Sequence, residues 1–202
     1  VERNIVVISA GLGSPSSSRL LADQLQTASI AELAQRGEQS NIRLVELRDL
    51  AVDIANNLVT GYAPPALQEV IGAVQDADGL IVVTPVFSAS FSGLFKSFFD
   101  LVDPKSLQGT PVVLAATGGT ARHSMVIDFA LRPLFGYLRA AIVPTGVYAA
   151  PDDWGDAGLN QRVSQAAAEF AEALHGNPPR RPSRSMESLP FEQLLANIGE
   201  QN

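Results

Sequence analysis

The sequence predicts an α/β fold in which a five-stranded parallel sheet, order 2-1-3-4-5, is doubly wound with helices on both faces. Three observations carry this expectation. Short β-branched runs alternate along the chain with segments of helical periodicity. The runs are continuously apolar, as strands covered on both faces require. And 202 residues are enough for one domain with a full core.

The strands follow in order. Ile5-Val-Val-Ile8 is the first. Ile42 to Leu47, half alternating, is the second. Leu80-Ile-Val-Val83 is the third and Val112-Val-Leu-Ala-Ala116 the fourth. Ala141-Ile-Val143, extending toward Tyr148, is the fifth. The first helix runs from Ser17 to Gln35, with Leu20, Leu21, Leu25, Ala28 and Leu33 at helical spacing and Gly37 as its stop. Pro65 to Gln75 is a second helix. Phe91 to Val102 is a third, strongly apolar through Leu94, Phe95, Phe98 and Phe99. Ser124 to Leu138 is a fourth, kinked or interrupted at Pro133. Leu159 to Leu174 closes the domain, which is expected to span residues 1–176. Residues 177–202 differ in composition. A basic, Pro-rich linker, expected to be extended, leads to a short amphipathic segment with Phe191, Leu194, Leu195 and Ile198.

Composition removes several functional classes. With no cysteine, disulfides, Fe–S clusters and thiol catalysis are excluded. His123 and His175 are the only histidines, so no His/Cys metal site can be assembled, and none is expected. A formal net charge of −7 argues against nucleic-acid binding. No apolar run approaches the ~20 residues of a membrane span. Val1-Glu-Arg-Asn4 leads straight into a strand, so no signal peptide is expected. The expected location is cytoplasmic.

Three loops carry the chemistry. In an open parallel sheet, ligands bind beyond the carboxyl ends of the strands, where the strand order reverses. That point lies between the first and third strands. The loop after the first strand, Ser9-Ala-Gly-Leu-Gly-Ser-Pro-Ser-Ser-Ser-Arg19, opens the first helix. A helix N-terminus offers free amides and partial positive charge. Gly11 admits close approach, and Ser16, Ser17 and Ser18, followed by Arg19, add donors for a phosphate. The loop is neither a Walker loop nor Gly-x-Gly-x-x-Gly. It suits a terminal phosphomonoester such as that of FMN. Capping of the helix by Ser16 or Ser17 is the competing role.

The third strand runs into Thr84-Pro-Val-Phe-Ser-Ala-Ser-Phe-Ser-Gly-Leu-Phe-Lys-Ser-Phe-Phe-Asp100. Pro85, Val86, Phe87 and Ser88 make a platform for a flat heteroaromatic ring. The fourth strand ends in Thr117-Gly-Gly-Thr-Ala-Arg-His123. Gly118 and Gly119 let backbone reach the ring, and their amides can donate to its polar edge, where charge develops on reduction. Arg122 or His123 can add to that, though a solvated or capping role competes for His123. Together the three loops suggest a flavin site. Lys96 and Asp100 are read as surface or subunit-contact residues, and Asp152-Asp-Trp-Gly-Asp156 as a loop closing the sheet edge. No Gly-x-Ser-x-Gly nucleophile appears.

These motifs resemble those of the NADPH-dependent FMN reductase family of flavodoxin-like proteins, and more narrowly the FMN reductases that partner luciferase-like monooxygenases. The resemblance runs from about Asn4 to Leu174. Its most specific part is residues 84–100, similar to the family's Pro-Val-Tyr…Ser-Gly-x-x-Lys…Asp segment. It implies a flavodoxin-like fold, with Pro85, Val86 and Phe87 along the isoalloxazine. It implies Thr117, Gly118 and Gly119 at the ring's polar edge. Ser16 and Ser18 fall near positions of the family's Gly-Ser-x-Arg-x-x-Ser phosphate loop, but no Arg stands earlier in it.

The expected activity is FMN reduction by NADH or NADPH, with reduced flavin passed to oxygen or a monooxygenase. No catalytic side chain is expected, because the cofactors carry the chemistry. The alternatives are a flavin-dependent quinone or azo-type reductase of the same fold, a flavodoxin-like electron carrier, or a flavin-free interaction domain. The aromatic surplus of the third helix, with the family resemblance, leads to the expectation of a homodimer or tetramer.

Overall fold

The computed structural model describes residues 1–180. Residues 181–202 lie outside the described residues, and with them most of the expected linker and the whole amphipathic segment.

Strand β1 (Glu2–Ser9) sits between β2 (Gln39–Glu46) and β3 (Gly79–Phe87), both parallel to it. Beyond β3 lies β5 (Pro111–Thr117), also parallel. The main path of the seven-stranded sheet is β2-β1-β3-β5-β6. The expected fifth strand is divided. β6 (Ala141–Ile142) pairs with the start of β5, and β7 (Val147–Ala149) pairs with its end. Pro144 falls between the two pieces and cannot donate to the ladder. Counting β6 and β7 as one interrupted strand, the reversal between β1 and β3 is retained.

Alternate residues of each strand face opposite layers. Ile5, Val7, Ile81, Val83 and Val113 pack under α1 (Ser17–Gln35) and α6 (Ala157–His175). Val6, Ile8, Leu80, Val82 and Leu114 face the other layer: α3 (Pro65–Asp76), α4 (Gly93–Phe99) and α5 (Arg132–Tyr137). α1 has the expected bounds. The Ser16 hydroxyl caps it by accepting from the Arg19 amide at 3.2 Å.

Besides the divided strand and an α4 shorter than the expected 91–102, three elements depart from expectation. A ten-residue helix, α2 (Ala51–Thr60), follows a 3₁₀ turn after β2. It buries only Ile54, and Val52 and Val59, seven apart on one face, stand 73% and 88% exposed. Second, β3 continues into a hairpin with the antiparallel β4 (Ser90–Phe91). Its turn residues Ser88 and Ala89 both have positive φ, as a two-residue primed turn demands. Third, the helix after β5 opens with a π turn, Ile127–Leu131, in which the Arg132 amide bonds back to Ile127. Pro133 lacks the N–H that would hold the regular ladder there.

The aromatic residues of α4 are core, which removes the reason given for a subunit contact on that helix. Phe95, Phe98 and Phe99 are buried. Their rings meet one another and Phe135 at centroid distances of 4.8 to 6.3 Å. Lys96 and Asp100 do form a half-exposed surface pair, at 2.7 Å.

The amino ends of the strands carry a buried ion pair. Arg3 Nε donates to Glu38 at 2.6 Å, and His175 Nδ1 lies 2.8 Å from the same carboxylate. The Arg3 hydrogen bond outweighs burial and holds the Glu38 carboxyl down to about 2. Arg3 also donates to the Asn177 carbonyl. Asp78 accepts from the Asn4 amide and from the Arg180 amide, and the Arg180 guanidinium reaches the Ser106 and Gln108 carbonyls. Residues 177–180 are therefore fastened to the end of the sheet opposite the loops described next.

Candidate functional site

At the carboxyl ends of β1, β3 and β5 lies a cleft of about 350 Å³, within the range of small-molecule sites. Its first wall is the loop into α1: Gly11, Leu12, Gly13, Pro15, Ser16, Ser17 and Ser18. The loop is tightly folded, since a Cβ on Gly11 would stand 1.9 Å from the Ser16 hydroxyl. As the first amides of a 19-residue helix, those of Ser17 and Ser18 have no intrahelical acceptor. The Ser17 hydroxyl makes no hydrogen bond among the described residues. Arg48 braces the loop from outside by donating to the Gly13 carbonyl, and Glu46 pairs with both Arg48 and Arg19 at 3.2 Å.

The second wall is Pro85, Val86 and Phe87. Thr84 fixes its path. Its hydroxyl accepts from the Ser92 amide at 3.0 Å and donates to the Pro85 carbonyl at 2.9 Å. Phe87, at 45% exposure, forms part of the rim.

The third wall is Thr117, Gly118 and Gly119. The Thr117 hydroxyl meets that of Ser18 at 2.8 Å, joining the first and third walls. The two glycines have different jobs. The Gly118 amide already donates to the Ala149 carbonyl, and a Cβ there would lie 2.1 Å from the Tyr148 hydroxyl. The Gly119 amide has no such acceptor, and a Cβ there would meet nothing within 4 Å. Tyr148 donates to the Thr120 carbonyl at 2.7 Å and so anchors the loop; burial pushes its phenol above the ordinary range and keeps it a donor. Of the two amides expected at a ring's edge, only that of Gly119 is free to serve.

A fourth wall escaped the sequence reading: Ala149, Pro151 and Trp154. The loop carrying Trp154 is held by Asp153, which accepts from the Ala150 amide at 2.7 Å. Its signal was present, an indole in a loop that leaves the last strand on the ligand-binding side of the sheet.

Of the expected site residues, the fold brings Gly11, Ser16, Ser17, Ser18, Pro85, Val86, Phe87, Thr117, Gly118 and Gly119 around this one cleft. It does not bring the others. The Arg19 side chain turns outward to Asp23 and Glu46. Ser88 sits in the hairpin turn beyond the rim. Arg122 lines a separate hollow next door. Among the described residues no charged side chain lines the cleft itself, so none of them repels an anion at the α1 terminus. Among the described residues no cluster of three metal-ligating side chains occurs, and no helix is long and apolar enough to cross a membrane.

Comparison with known proteins places the chain in a family. The family model described as NADPH-dependent FMN reductase matches residues 3–155. An FMN reductase (NADPH) of Pseudomonas aeruginosa is 40% identical over 176 residues, covering 85% of this chain and 92% of that protein. The NADH-dependent FMN reductase SfnE of Pseudomonas putida is 41% identical over 166 residues, covering 81% and 83%. Among solved structures, an oxidoreductase from Corynebacterium diphtheriae is 45% identical with a TM-score of 0.85, covering 88% of this chain and 99% of that one. The apo form of the NADH:FMN oxidoreductase EMOB is 26% identical with a TM-score of 0.78, covering 93% and 98%.

Proposed function

From a chain that belongs to the NADPH-dependent FMN reductase family, we propose the following arrangement of its site. The activity is NAD(P)H-dependent reduction of FMN, an oxidoreductase reaction. FMN, when bound, supplies the hydride-accepting ring. The chain supplies the seat. The amides of Ser17 and Ser18 and the hydroxyls of Ser16 and Ser17 hold the phosphate at the start of α1, where the helix dipole favours negative charge. Pro85, Val86 and Phe87 support one side of the ring, and Trp154 closes the far wall. The Gly119 amide donates to the ring's polar edge and stabilises charge there.

The observation that carries this reading is the convergence of a hydroxyl-rich helix terminus, a Pro-Val-Phe edge and a glycine loop on one uncharged cleft. No protein acid or base is needed. Leu12, Ser17, Phe87 and Gly119 on its walls are exposed, which suits a flavin that leaves after reduction. The reduced flavin passes to a flavin-dependent monooxygenase in the cytoplasm. The protein works as a homodimer or tetramer, with the exposed α2 face of Val52 and Val59 as the contact.

The deciding experiment mixes purified protein with FMN and either NADH or NADPH. FMN-dependent nicotinamide oxidation is expected. Its absence with both donors removes the reading. A monomeric mass by light scattering at micromolar concentration removes the assembly.

A further inference from the structure

Beside the cleft lies a second hollow of about 240 Å³, between the β3–β4 turn and the segment that follows β5. The two have no lining residue in common but are carried by the same two loops. Ala89 follows Phe87 by two residues, and Arg122 follows Gly119 by three, so the hollow opens within about 11 Å of the cleft along either wall. A ligand longer than one nucleotide can occupy both.

The charges around this end of the sheet are not equivalent. Arg19 faces Asp23 and Glu46, Arg48 faces Glu46, Arg132 faces Asp128, and Arg162 faces Asp153. The exposed Arg122 guanidinium, which lines the hollow with His123, makes no hydrogen bond or ion pair among the described residues. Its backbone is nonetheless fixed, because the Thr120 hydroxyl accepts from the Arg122 amide and the Thr120 carbonyl holds Tyr148. The same hollow is lined by Met125 and Phe129, 53% and 75% exposed, on the π turn and its approach. An unneutralised guanidinium on a fixed backbone, in one hollow with an exposed aromatic ring, matches a phosphate monoester joined to a flat base. In a protein of net charge −7, a cation without a carboxylate is where a polyanionic substrate gains most.

We propose that this hollow is the subsite for the adenosine 2′-phosphate of NADPH, and that Arg122 sets the preference of NADPH over NADH, with Phe129 under the adenine. This rests on the reductase reading above and deepens it. Arg122 thereby serves the nicotinamide donor in place of the flavin edge expected from the sequence.

The test measures binding before turnover. Titration calorimetry compares adenosine 2′,5′-bisphosphate, adenosine 5′-monophosphate and inorganic phosphate on the purified protein. The bisphosphate is expected to bind about tenfold to a hundredfold tighter than the monophosphate, the value of a charge-assisted contact. Arg122→Ala should erase that difference, and Arg122→Lys should restore part of it. The ratio of kcat/KM for NADPH to that for NADH should fall in parallel. Equal binding of the two adenosine nucleotides by the wild type overturns the subsite, as does a preference that survives Arg122→Ala. Inorganic phosphate binding as tightly as the bisphosphate overturns the adenosine assignment. A wild type that oxidises neither donor with FMN overturns the reductase reading as well. One that oxidises both, with a ratio unmoved in Arg122→Ala, overturns the subsite alone.

Discussion

At the amino ends of the strands, Arg3 and Glu38 form an ion pair whose side chains are 4% and 6% exposed, His175 hydrogen-bonds the same carboxylate, and Asp78 takes up two backbone amides. At the carboxyl ends of the same strands, the cleft lining contains several hydroxyls and, among the described residues, no charged side chain. The difference lies in where partners come from. One end satisfies its charges internally and fastens residues 177–180. The other leaves amides and hydroxyls for something to be supplied from solution. Stability and binding are thereby separated along one sheet, and substitutions at either end should report on one without the other.

The largest expected effect breaks the closed end. Glu38→Ala leaves Arg3 buried without its carboxylate, at a cost of about 3 kcal/mol or more in urea unfolding at neutral pH. FMN affinity of the folded fraction should stay as it is. The same group gives a pH signature. Its carboxyl lies near 2 in the fold against an ordinary 4.5, so its contribution is whole above about 4.5 and is lost as pH falls toward 2. Glu38→Gln should flatten the stability curve across that window; an unchanged acid limb would show that Glu38 does not carry it.

At the open end, Ser17→Ala should weaken FMN by about 1–3 kcal/mol and riboflavin far less, because the lost donor faces only the phosphate. Equal losses in fluorescence titrations would move the phosphate elsewhere. The two glycines sharpen the contrast further. Gly118→Val strikes Tyr148 and should lower the melting temperature before any ligand is added. Gly119→Val meets nothing in the protein and should leave melting alone while weakening FMN. If both variants melt normally, the Tyr148 anchor is not what Gly118 serves. The smallest effect is at the hairpin. Ala89→Gly relieves a positive φ but frees the unfolded chain, for a net gain of about 0.5–1 kcal/mol in melting experiments. A loss would mean the Ala89 side chain packs usefully.

Legibility in the sequence followed how local each signal was. α1 was readable to its ends because a Ser cap and Gly37, at φ 71°, mark them. The loops at Gly11 and Gly118 were readable because glycine and serine announce close approach. The hairpin was not, since its left-handed turn is made by Ser88 and Ala89 rather than the usual Asn-Gly pair. α2 was missed because it buries a single residue, which leaves no apolar stripe pointing inward. The aromatic run of α4 was seen but misassigned, since only the fold shows Phe135 covering it. Trp154 hid in an acidic loop, and Arg122 was noticed without any local clue that it lies beyond the Gly-Gly wall.

The hydroxyl contact between Ser18 and Thr117 joins positions 99 residues apart. The cleft therefore exists only after β1, β3 and β5 are paired in register, and no partly folded chain can offer it. A ligand that recognises it draws the whole folding equilibrium by mass action, adding about 2.7 kcal/mol when free ligand reaches a hundred times its Kd. With flavin in the seat proposed for it, flavin supply would become a variable of protein abundance. A cell short of the ligand holds a less stable enzyme, exposed longer to proteolysis, and a cell rich in it keeps the same chain folded without any change in synthesis.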